Sequence, residues 1–452
     1  MIEDFLSKVK LYKDPEIMAA DFLAAYFDKF SIEYPINPFQ MLKDMDILFS
    51  IRDFNKLEGL YIPAQSENDI PIVGINLRRP ITRQRFTAVH ELCHHFRDRD
   101  RQIMCPIGRK DDSERFADSF ASAVLMPYQK LKEKIDEYKD ETGEVDLEAV
   151  LFIADYFGVS LEACAIRIAY TMHSLKGNTE WKELKKRLNK FKPEKKREQL
   201  GLTYVSLYCD LLDSYEESLK FIPDEHSRLV FTNQYLYNDS RMEGLDVTMK
   251  QASEIVTDLR MNMQNSKYCN EANEAYMSIA GHYLMYQHIL ENPVKDRLSV
   301  YDILNLNKDL YHYYPYPEFG GEFRKENPIV TGAKFEVIDY NLIFQKLNEV
   351  EEDIKKYYQN RDKIKISDYI KHVVRTHHLM TMIHPFADGN GRSTRAFMNV
   401  QLVRAGLSPL YILVEEKSDY VKALEIADTE GNYDPLYEVI IKVILRCNSE
   451  IC

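Results

Sequence analysis

The chain lacks any apolar segment approaching the roughly 20 residues that a membrane-spanning helix needs. Residues 1–6 have neither a basic start nor a continuous apolar stretch, which argues against a secretory signal. The chain also has no excess of basic residues. It contains 59 lysines and arginines and 72 aspartates and glutamates, so its formal charge is −13. That balance argues against a general nucleic-acid or acidic-membrane surface. We therefore expect a soluble, cytoplasmic protein with neither a membrane partner nor a direct nucleic-acid partner.

Cysteine is scarce and irregularly spaced. The seven cysteines are odd in number and scattered along the chain. This pattern fits neither a disulfide framework nor a zinc site made of cysteine pairs. It is typical of a reducing compartment, which again indicates the cytoplasm.

Glycine and proline are few for this length, with 16 and 17 among 452 residues. Long segments instead carry helical periodicity. A hydrophobic share of 45% with 29% charged residues argues against extended disorder. The length predicts two or three domains.

A basic segment marks the clearest boundary. Nine of the sixteen residues in 182–197 are lysine or arginine, around the single Pro193. This composition is typical of a solvated helix end and a linker, and a nucleic-acid contact is the alternative. The predicted parts of the chain are residues 1–178, a basic linker at 179–200, a helical region at 201–295 and a C-terminal core at 296–452.

Periodicity predicts the elements around the first motif. Residues 72–77 form a predicted strand, and a helix starts near Thr82. A second helix is predicted over residues 112–125. The C-terminal part is helical almost throughout, except at residues 327–335, where alternation around a Thr-Gly turn predicts a small hairpin.

The segment His-Glu-Leu-Cys-His at residues 90–94 has the spacing of a zinc site. His90 and His94 share one helix face and can offer two imidazoles to one ion. Glu91 is placed to take a proton from a water that zinc acidifies for attack on a peptide carbonyl. Glu114 is the best candidate for the third ligand, and Asp118 can accept the free N–H of a ligand histidine and fix its tautomer. Chance spacing is the alternative.

This region resembles the ImmA/IrrE family of zinc metallopeptidases over about residues 1–175. Cys93 stands where the family usually has glycine, and Asp118 where asparagine is common. Family members often cleave transcriptional repressors, so the resemblance implies a regulatory peptidase. Many carry or accompany a DNA-binding helix-turn-helix, and we find no such module in the sequence. The matching segments are residues 85–94, 114–118, 120–121, 125–127 and 158–160.

Residues 384–395 are the most informative stretch of the chain. They combine a histidine base for an incoming hydroxyl, a carboxylate for Mg²⁺, a glycine-flanked turn whose N–H groups can approach phosphate, and two arginines for phosphate oxygens. Such a set predicts a site for a nucleoside triphosphate. In this order the residues are His384, Asp388, Gly389 with Asn390 and Gly391, and Arg392 with Arg395.

The same stretch matches the Fic family motif H-x-F-x-[DE]-G-N-G-R-x-x-R at every defined position. The resemblance extends from about Leu202 to the C-terminus and includes residues 320–324. Most Fic proteins transfer AMP from ATP to a protein Ser, Thr or Tyr hydroxyl, and some use other nucleotides or phosphocholine. The resemblance implies His384 as the base, Asp388 as the Mg²⁺ ligand, and Asn390, Arg392 and Arg395 as the triphosphate clamp. A flap that aligns the target by strand addition would comprise Ile329, Val330, Thr331 and Gly332.

Residues 238–244 look like the Fic inhibitory helix, whose motif is [ST]-x-x-x-E-[GN]. In the family the glutamate, here Glu243, pairs with the second motif arginine, here Arg395, and keeps the γ-phosphate from its productive position. Asp239 stands where the family has Ser or Thr, which leaves the strength of inhibition open. The alternative is that Glu243 is a surface carboxylate beside the helix cap Gly244.

These resemblances imply a mainly α protein. An N-terminal α+β zincin-like domain with a small sheet is followed by an all-α Fic domain with a small β-hairpin flap. The predicted protein is a bifunctional regulatory enzyme, an AMP-transferase autoinhibited by Glu243 and a zinc-dependent site-specific endopeptidase. The implied cofactors are Zn²⁺ and Mg²⁺, with ATP as substrate. The implied partners are a protein to be AMPylated, a repressor-like protein to be cleaved and a second copy of the chain.

Two alternatives remain open. The chain is a candidate toxin–antitoxin or phage-response sensor whose zinc domain only binds a partner, although Glu91 argues against a pure binder. The Fic part is also a candidate for de-AMPylation, with Glu243 orienting a water.

Overall fold

The computed structural model describes most of residues 2–451. The positions that it leaves undescribed are 1, 32, 67, 100–101, 109–110, 142, 173–177, 264–265, 267, 269–273, 292–296, 318–319, 329–336 and 452. The chain divides into two units, Met1–Tyr215 and Glu216–Cys452. The domain limits predicted at residues 178, 200 and 295 stay predictions. The predicted hairpin lies largely outside the described residues.

The first unit combines helices with one small sheet. Its helices are α1 (Ile2–Lys8), α2 (Pro15–Phe27), α3 (Pro38–Asp44), α4 (Ile81–Arg97), α5 (Asp112–Leu125), α6 (Tyr128–Tyr138), α7 (Leu147–Phe157), α8 (Leu161–Thr171), α9 (Asn178–Phe191), α10 (Pro193–Leu200) and α11 (Val205–Tyr215). Its strands are β1 (Leu48–Arg52), β2 (Leu57–Ile62), β3 (Ile72–Asn76) and β4 (Ile103–Pro106).

The sheet has the strand order β1-β3-β2-β4, so that β4 lies at one edge. Strand β3 pairs in parallel with β1 and antiparallel with β2, which in turn pairs antiparallel with β4. The central strand β3 is buried after its first residue, which agrees with its continuous apolar sequence. The predicted strand at 72–77 is confirmed.

Helix α4 packs against strands β2 and β3 and against α5. The fully buried Arg85 holds it in place, donating to the carbonyl of Gly158 at 3.0 Å and to that of Ile36 at 2.6 Å. Gly158 has φ +63, and a Cβ there would lie 2.8 Å from Leu207. Both predicted helices of this unit are confirmed, and α5 begins with the N-cap Asp111, which accepts from the Glu114 N–H at 3.0 Å.

The basic segment is helical, spanning most of α9 and the start of α10. Arg197 in α10 is buried and donates to Asp155 in α7 at 2.7 Å. The end of the segment is therefore packed onto the first unit.

Most of the described residues of the second unit are helical. Its helices are α12 (Glu225–Met242), α13 (Met249–Arg260), α14 (Glu274–Glu291), α15 (Asp302–Leu310), α16 (Ile343–Gln359), α17 (Ile366–Ile383), α18 (Asn390–Arg404), α19 (Lys417–Glu430) and α20 (Asp434–Ile451). Helix α18 is buried along nearly its whole length and packs against α14, α15 and α17. The prediction of a mainly α protein with a small N-terminal sheet is confirmed.

Among the described residues, no single helix is both long and apolar enough to span a membrane. Helices α7 and α8 pass that test of length and composition only as a pair, with a bend of 105° between them.

Candidate functional sites

Three elements of the first unit bring four metal-ligating side chains together, which we call the metal cluster. Helix α4 supplies His90 and His94, α5 supplies Glu114 and β4 supplies Cys105. All four are buried, and one ligand atom from each lies within 4.8 Å of the others. The structure thus unites the three predicted ligands and adds a cysteine that sequence reasoning missed.

Carboxylates orient both imidazoles. His90 Nδ1 lies 3.0 Å from Asp118 Oδ1, as predicted, and His94 Nδ1 lies 3.0 Å from Asp98 Oδ2. Each histidine thereby turns its Nε2 atom towards the other, and the two Nε2 atoms are 3.2 Å apart. This arrangement, with a carboxylate on the outer nitrogen, is typical of metal-binding histidines.

The spacing of the cluster fits one tetrahedral ion. Bonds of about 2.0–2.1 Å from zinc to nitrogen or oxygen place neighbouring ligand atoms about 3.3 Å apart. His90 Nε2 is 3.3 Å from Glu114 Oε2, and His94 Nε2 is 3.8 Å from Glu114 Oε1. The chemistry of the donors also suits zinc, which prefers imidazole, thiolate and carboxylate.

Glu91 lies beside the cluster and is fully buried. Both its carboxylate oxygens lack a hydrogen-bond partner among the described residues, and burial raises the pKa of this group. Its carboxylate sits against Gly59 of β2, where a Cβ would come within 2.2 Å of Glu91 Oε1. Glycine is therefore required at residue 59 if Glu91 is to keep this position.

A groove adjoins the cluster in the first unit. Asp118, which holds His90, is on its wall together with Phe86 of α4 and Tyr170 of α8. The groove is partly open to solvent, and it borders the metal cluster only through Asp118, since none of the four cluster residues lines it.

In the second unit, the turn between α17 and α18 carries the second motif. His384 caps α17 with φ +51, an uncommon conformation for a residue other than glycine. Arg324 stabilises this turn, because its backbone N–H donates to Pro385 O at 2.9 Å and its Nε donates to His384 O at 2.8 Å. Burial lowers the pKa of His384 below its ordinary value of 6.5, which favours the neutral imidazole that a base requires.

Asp388 follows the histidine and its side chain is 66% exposed. Tyr311 donates to Asp388 Oδ2 at 2.7 Å, which orients the carboxylate. Gly389 is the N-cap of α18 and has φ +74, and a Cβ there would come within 2.8 Å of Leu310. An accessible, oriented carboxylate at a helix N-terminus fits a Mg²⁺–phosphate group.

Two further motif residues, Arg392 and Asn390, make hydrogen bonds to other parts of the protein. Arg392 donates to Ser278 Oγ at 3.1 Å, while its Nε is buried without a partner among the residues described. Asn390 exchanges hydrogen bonds with the backbone of Phe386, at 2.9 and 2.8 Å. In this structure Asn390 holds the loop, and its predicted part in the triphosphate clamp stays a prediction.

Arg395 donates hydrogen bonds to two carboxylates at the end of α12, those of Asp239 and Glu243. We call these three residues the arginine clamp. Glu243 Oε1 accepts from Arg395 Nη2 at 2.5 Å, and Asp239 accepts from Arg395 Nε. The buried His282 lies 2.9 Å from the other oxygen of Asp239. Burial acts to raise the pKa of Asp239, but Arg395 and His282 outweigh it and hold that pKa well below its ordinary value. A Cβ at Gly391 would come within 3.0 Å of Arg395.

Comparison with known families agrees with both resemblances. Residues 42–169 match the model of the IrrE N-terminal-like domain, Peptidase_M78, and residues 297–402 match that of the Fic/DOC family. The chain carries an IrrE-like domain and a Fic domain. The two resemblances stated from the motifs are thus confirmed, and the metal cluster lies in the IrrE-like domain, whereas the His384 turn lies in the Fic domain.

Individual relatives are similar to part of the chain. The protein adenylyltransferase Fic of Drosophila erecta is 29% identical over 237 residues, covering 51% of this chain and 44% of that protein. The Drosophila melanogaster protein of the same name is 29% identical over 237 residues, covering 51% of this chain and 45% of its own length. The chain therefore spans less than half the length of these curated relatives.

The solved structures to which this chain is similar include a Fic-domain-containing signalling protein from Bacteroides thetaiotaomicron. It is 21% identical, covers 54% of this chain and 95% of its own, and gives a TM-score of 0.45. A fragment of Fic-1 from C. elegans is 16% identical, covers 73% of this chain and 97% of its own, and gives a TM-score of 0.43.

Several residues around the two sites were missed by sequence reasoning. Cys105 had a weak signal, as a cysteine between the histidine pair and Glu114. Asp239 was noted as a departure from the motif, but its bond to Arg395 was not foreseen. The predicted flap residues 329–332 lie outside the described part of the chain. Arg324 was within the segment that resembles the Fic family, but no role was predicted for it. The others that sequence reasoning missed are Asp98, Ser278, His282 and Tyr311.

Proposed function

We propose that the Fic domain transfers AMP from ATP to a Ser, Thr or Tyr hydroxyl of a protein. The observation that carries the proposal is the turn between α17 and α18. It places a half-buried histidine, an exposed carboxylate and a helix N-terminus within one short segment, with Arg392 behind them. The names of the Drosophila relatives support the same activity.

In the proposed step, His384 accepts the proton of the acceptor hydroxyl. The hydroxyl oxygen bonds to the α-phosphorus, and the bond from that phosphorus to the bridging oxygen breaks, so that pyrophosphate leaves. Asp388 would hold a magnesium ion, which would neutralise phosphate charge. The N–H groups at the start of α18 and the guanidinium of Arg392 bind the phosphates.

The arginine clamp supports autoinhibition as part of this proposal. While Asp239 and Glu243 hold Arg395, that guanidinium is not free for the terminal phosphate of ATP. The negative charge of the two carboxylates would also repel the phosphates of a nucleotide that approached Arg395. The domain in this conformation is therefore the restrained form of the enzyme.

Incubation with α-labelled ATP, Mg²⁺ and cell extract tests the activity. We expect label on protein and a mass increase of one AMP on the acceptor peptide, with a larger yield from Glu243→Gly. If γ-labelled ATP labels the protein and α-labelled ATP does not, the group transferred is phosphate and the proposal is wrong.

The pH dependence of transfer follows from the environment of His384. Because burial lowers its pKa below 6.5, the neutral base persists into mildly acidic solution. We expect the single-turnover rate of the Glu243→Gly protein to fall with decreasing pH and to reach half of its plateau only below pH 6.5. Half-loss above that value would contradict the pKa direction.

We also propose that the IrrE-like domain is a zinc-dependent endopeptidase acting on a protein such as a repressor. The metal cluster and the buried Glu91 beside it support this proposal. Zinc would acidify a water in the site, and Glu91 would take its proton. Because the thiol of Cys105 lies in the metal cluster, cleavage of candidate repressors is tested with both the zinc-loaded native chain and the Cys105→Ala variant. Glu91→Gln is the inactive control.

The metal content tests the site independently of cleavage. The native protein is expected to retain about one zinc per chain after dialysis, because the metal cluster offers one set of buried donors. His90→Ala and Glu114→Ala are each expected to lose it, measured by inductively coupled plasma mass spectrometry. His95→Ala is the matched control, because its Nδ1 lies 3.2 Å from Tyr61 Oη and it is not in the cluster. Equal zinc in all four proteins would refute the site.

A further inference from the structure

The metal cluster has four donors where a catalytic zinc site keeps one position open for water. The fourth is the thiol of Cys105. Its Sγ lies 3.6 Å from His90 Nε2 and 3.8 Å from Glu114 Oε1. Zinc with bonds of about 2.3 Å to sulfur and about 2.0–2.1 Å to nitrogen places those two atoms about 3.6 Å apart. The thiol is therefore at ligand distance.

The fold, and not a local sequence motif, determines this position. Cys105 is on edge strand β4, where it pairs with Gly59 of β2. Gly59 is also the residue against which Glu91 packs. Gly59 thus leaves room for the carboxylate of Glu91, and its pairing with Cys105 brings the thiol to the same region of the metal cluster. Cys105 is only 3% exposed, so its Sγ faces the interior donors and is largely screened from water.

We propose that Cys105 is the fourth zinc ligand and keeps the peptidase latent. The inference rests on the proposed zinc site and deepens it, since it states how that site is regulated. With the thiolate bound, no position remains for the water that Glu91 would deprotonate. Activation requires Cys105 to withdraw and a water molecule to take its place, while the departing thiolate takes up a proton from solvent.

Strand β4 is suited to such a withdrawal. Within the described sheet it pairs on one side only, with β2. Its pairing is also irregular, with a register shift between Leu57 and Gly59. Cys105 can therefore leave by separating one short edge strand, without disturbing β1, β3 or the two ligand helices.

Cobalt substitution tests the ligand directly in the full-length protein. Co²⁺ bound by a thiolate has an intense near-ultraviolet sulfur-to-metal charge-transfer band, which imidazole and carboxylate do not produce. We expect this band in the native chain and in Cys164→Ala, whose buried thiol lies in α8 outside the cluster. Cys105→Ala is expected to bind one Co²⁺ without the band.

A second readout reports the open position. Azide is expected to change the visible spectrum of Co²⁺-loaded Cys105→Ala and to leave that of the native protein unchanged. If the native protein binds one Co²⁺ without the band, Cys105 is not a ligand, but the proposed zinc site is still supported. If neither protein binds cobalt, both the role of Cys105 and the proposed zinc site are wrong. The native spectrum decides the first question even if the variant does not fold.

Discussion

Replacing His384 with alanine is expected to lower the rate of AMP transfer by about 10²- to 10⁴-fold, the usual contribution of a positioned general base. The acceptor hydroxyl would then have to lose its proton to solvent. Binding of ATP should change little, because the phosphate-binding groups at the start of α18 remain. The measurement is single-turnover transfer from α-labelled ATP in the Glu243→Gly background, with nucleotide affinity from calorimetry.

The matched control for this variant is His372→Ala. His372 lies in the same helix, α17, and stacks on Tyr357 with ring centroids 4.0 Å apart, away from the motif turn. We expect it to keep the parental transfer rate. If His384→Ala labels protein as fast as its parent, another group accepts the proton and the assignment of the base is wrong.

Opening the arginine clamp is expected to give the largest increase in transfer. A hydrogen bond between charged groups contributes about 1.5–3 kcal/mol, which corresponds to about 10- to 150-fold. Glu243→Gly removes one such bond, yet Asp239 still holds Arg395 Nε. We therefore expect Asp239→Ser with Glu243→Gly to exceed Glu243→Gly alone by about tenfold or more.

Asp239→Ser restores the type of residue that the inhibitory motif usually has, and Asp246→Ser is its matched control. Asp246 follows the same helix, pairs with Arg241 and is fully exposed. It is expected to leave transfer unchanged in the Glu243→Gly background. Equal rates for Glu243→Gly and the double variant would show that Asp239 does not restrain Arg395. Asp239→Ser also removes the partner of the buried His282. Thermal melting of each variant therefore shows whether a change in rate is accompanied by a loss of stability.

Local spacing predicted a good part of this protein. His90 and His94 share a helix face because they are four residues apart, and β3 followed by α4 was predicted from alternation and periodicity. The motif at residues 384–395 likewise predicted a turn followed by a helix N-terminus. These features depend on the pitch of a helix and the alternation of a strand, which any reader of the sequence can count.

Contacts between distant segments of the chain were harder to predict from the sequence. Asp239 and Arg395 are 156 residues apart along the chain, and no periodicity links them. The inhibitory motif predicted Glu243 as the partner of Arg395, and the structure shows that contact. The motif gave no role to aspartate four residues earlier, although one helical turn brings both carboxylates to the same face of α12.

The amino-acid sequence by itself determined the two domain families, the helical character and the residues that each motif contributes. Only the tertiary structure decided that Cys105 completes the metal cluster and that two carboxylates, not one, hold Arg395. The physical reason is that backbone geometry determines which side chains of one helix share a face. Which side chains of different elements meet depends on strand register and on helix packing.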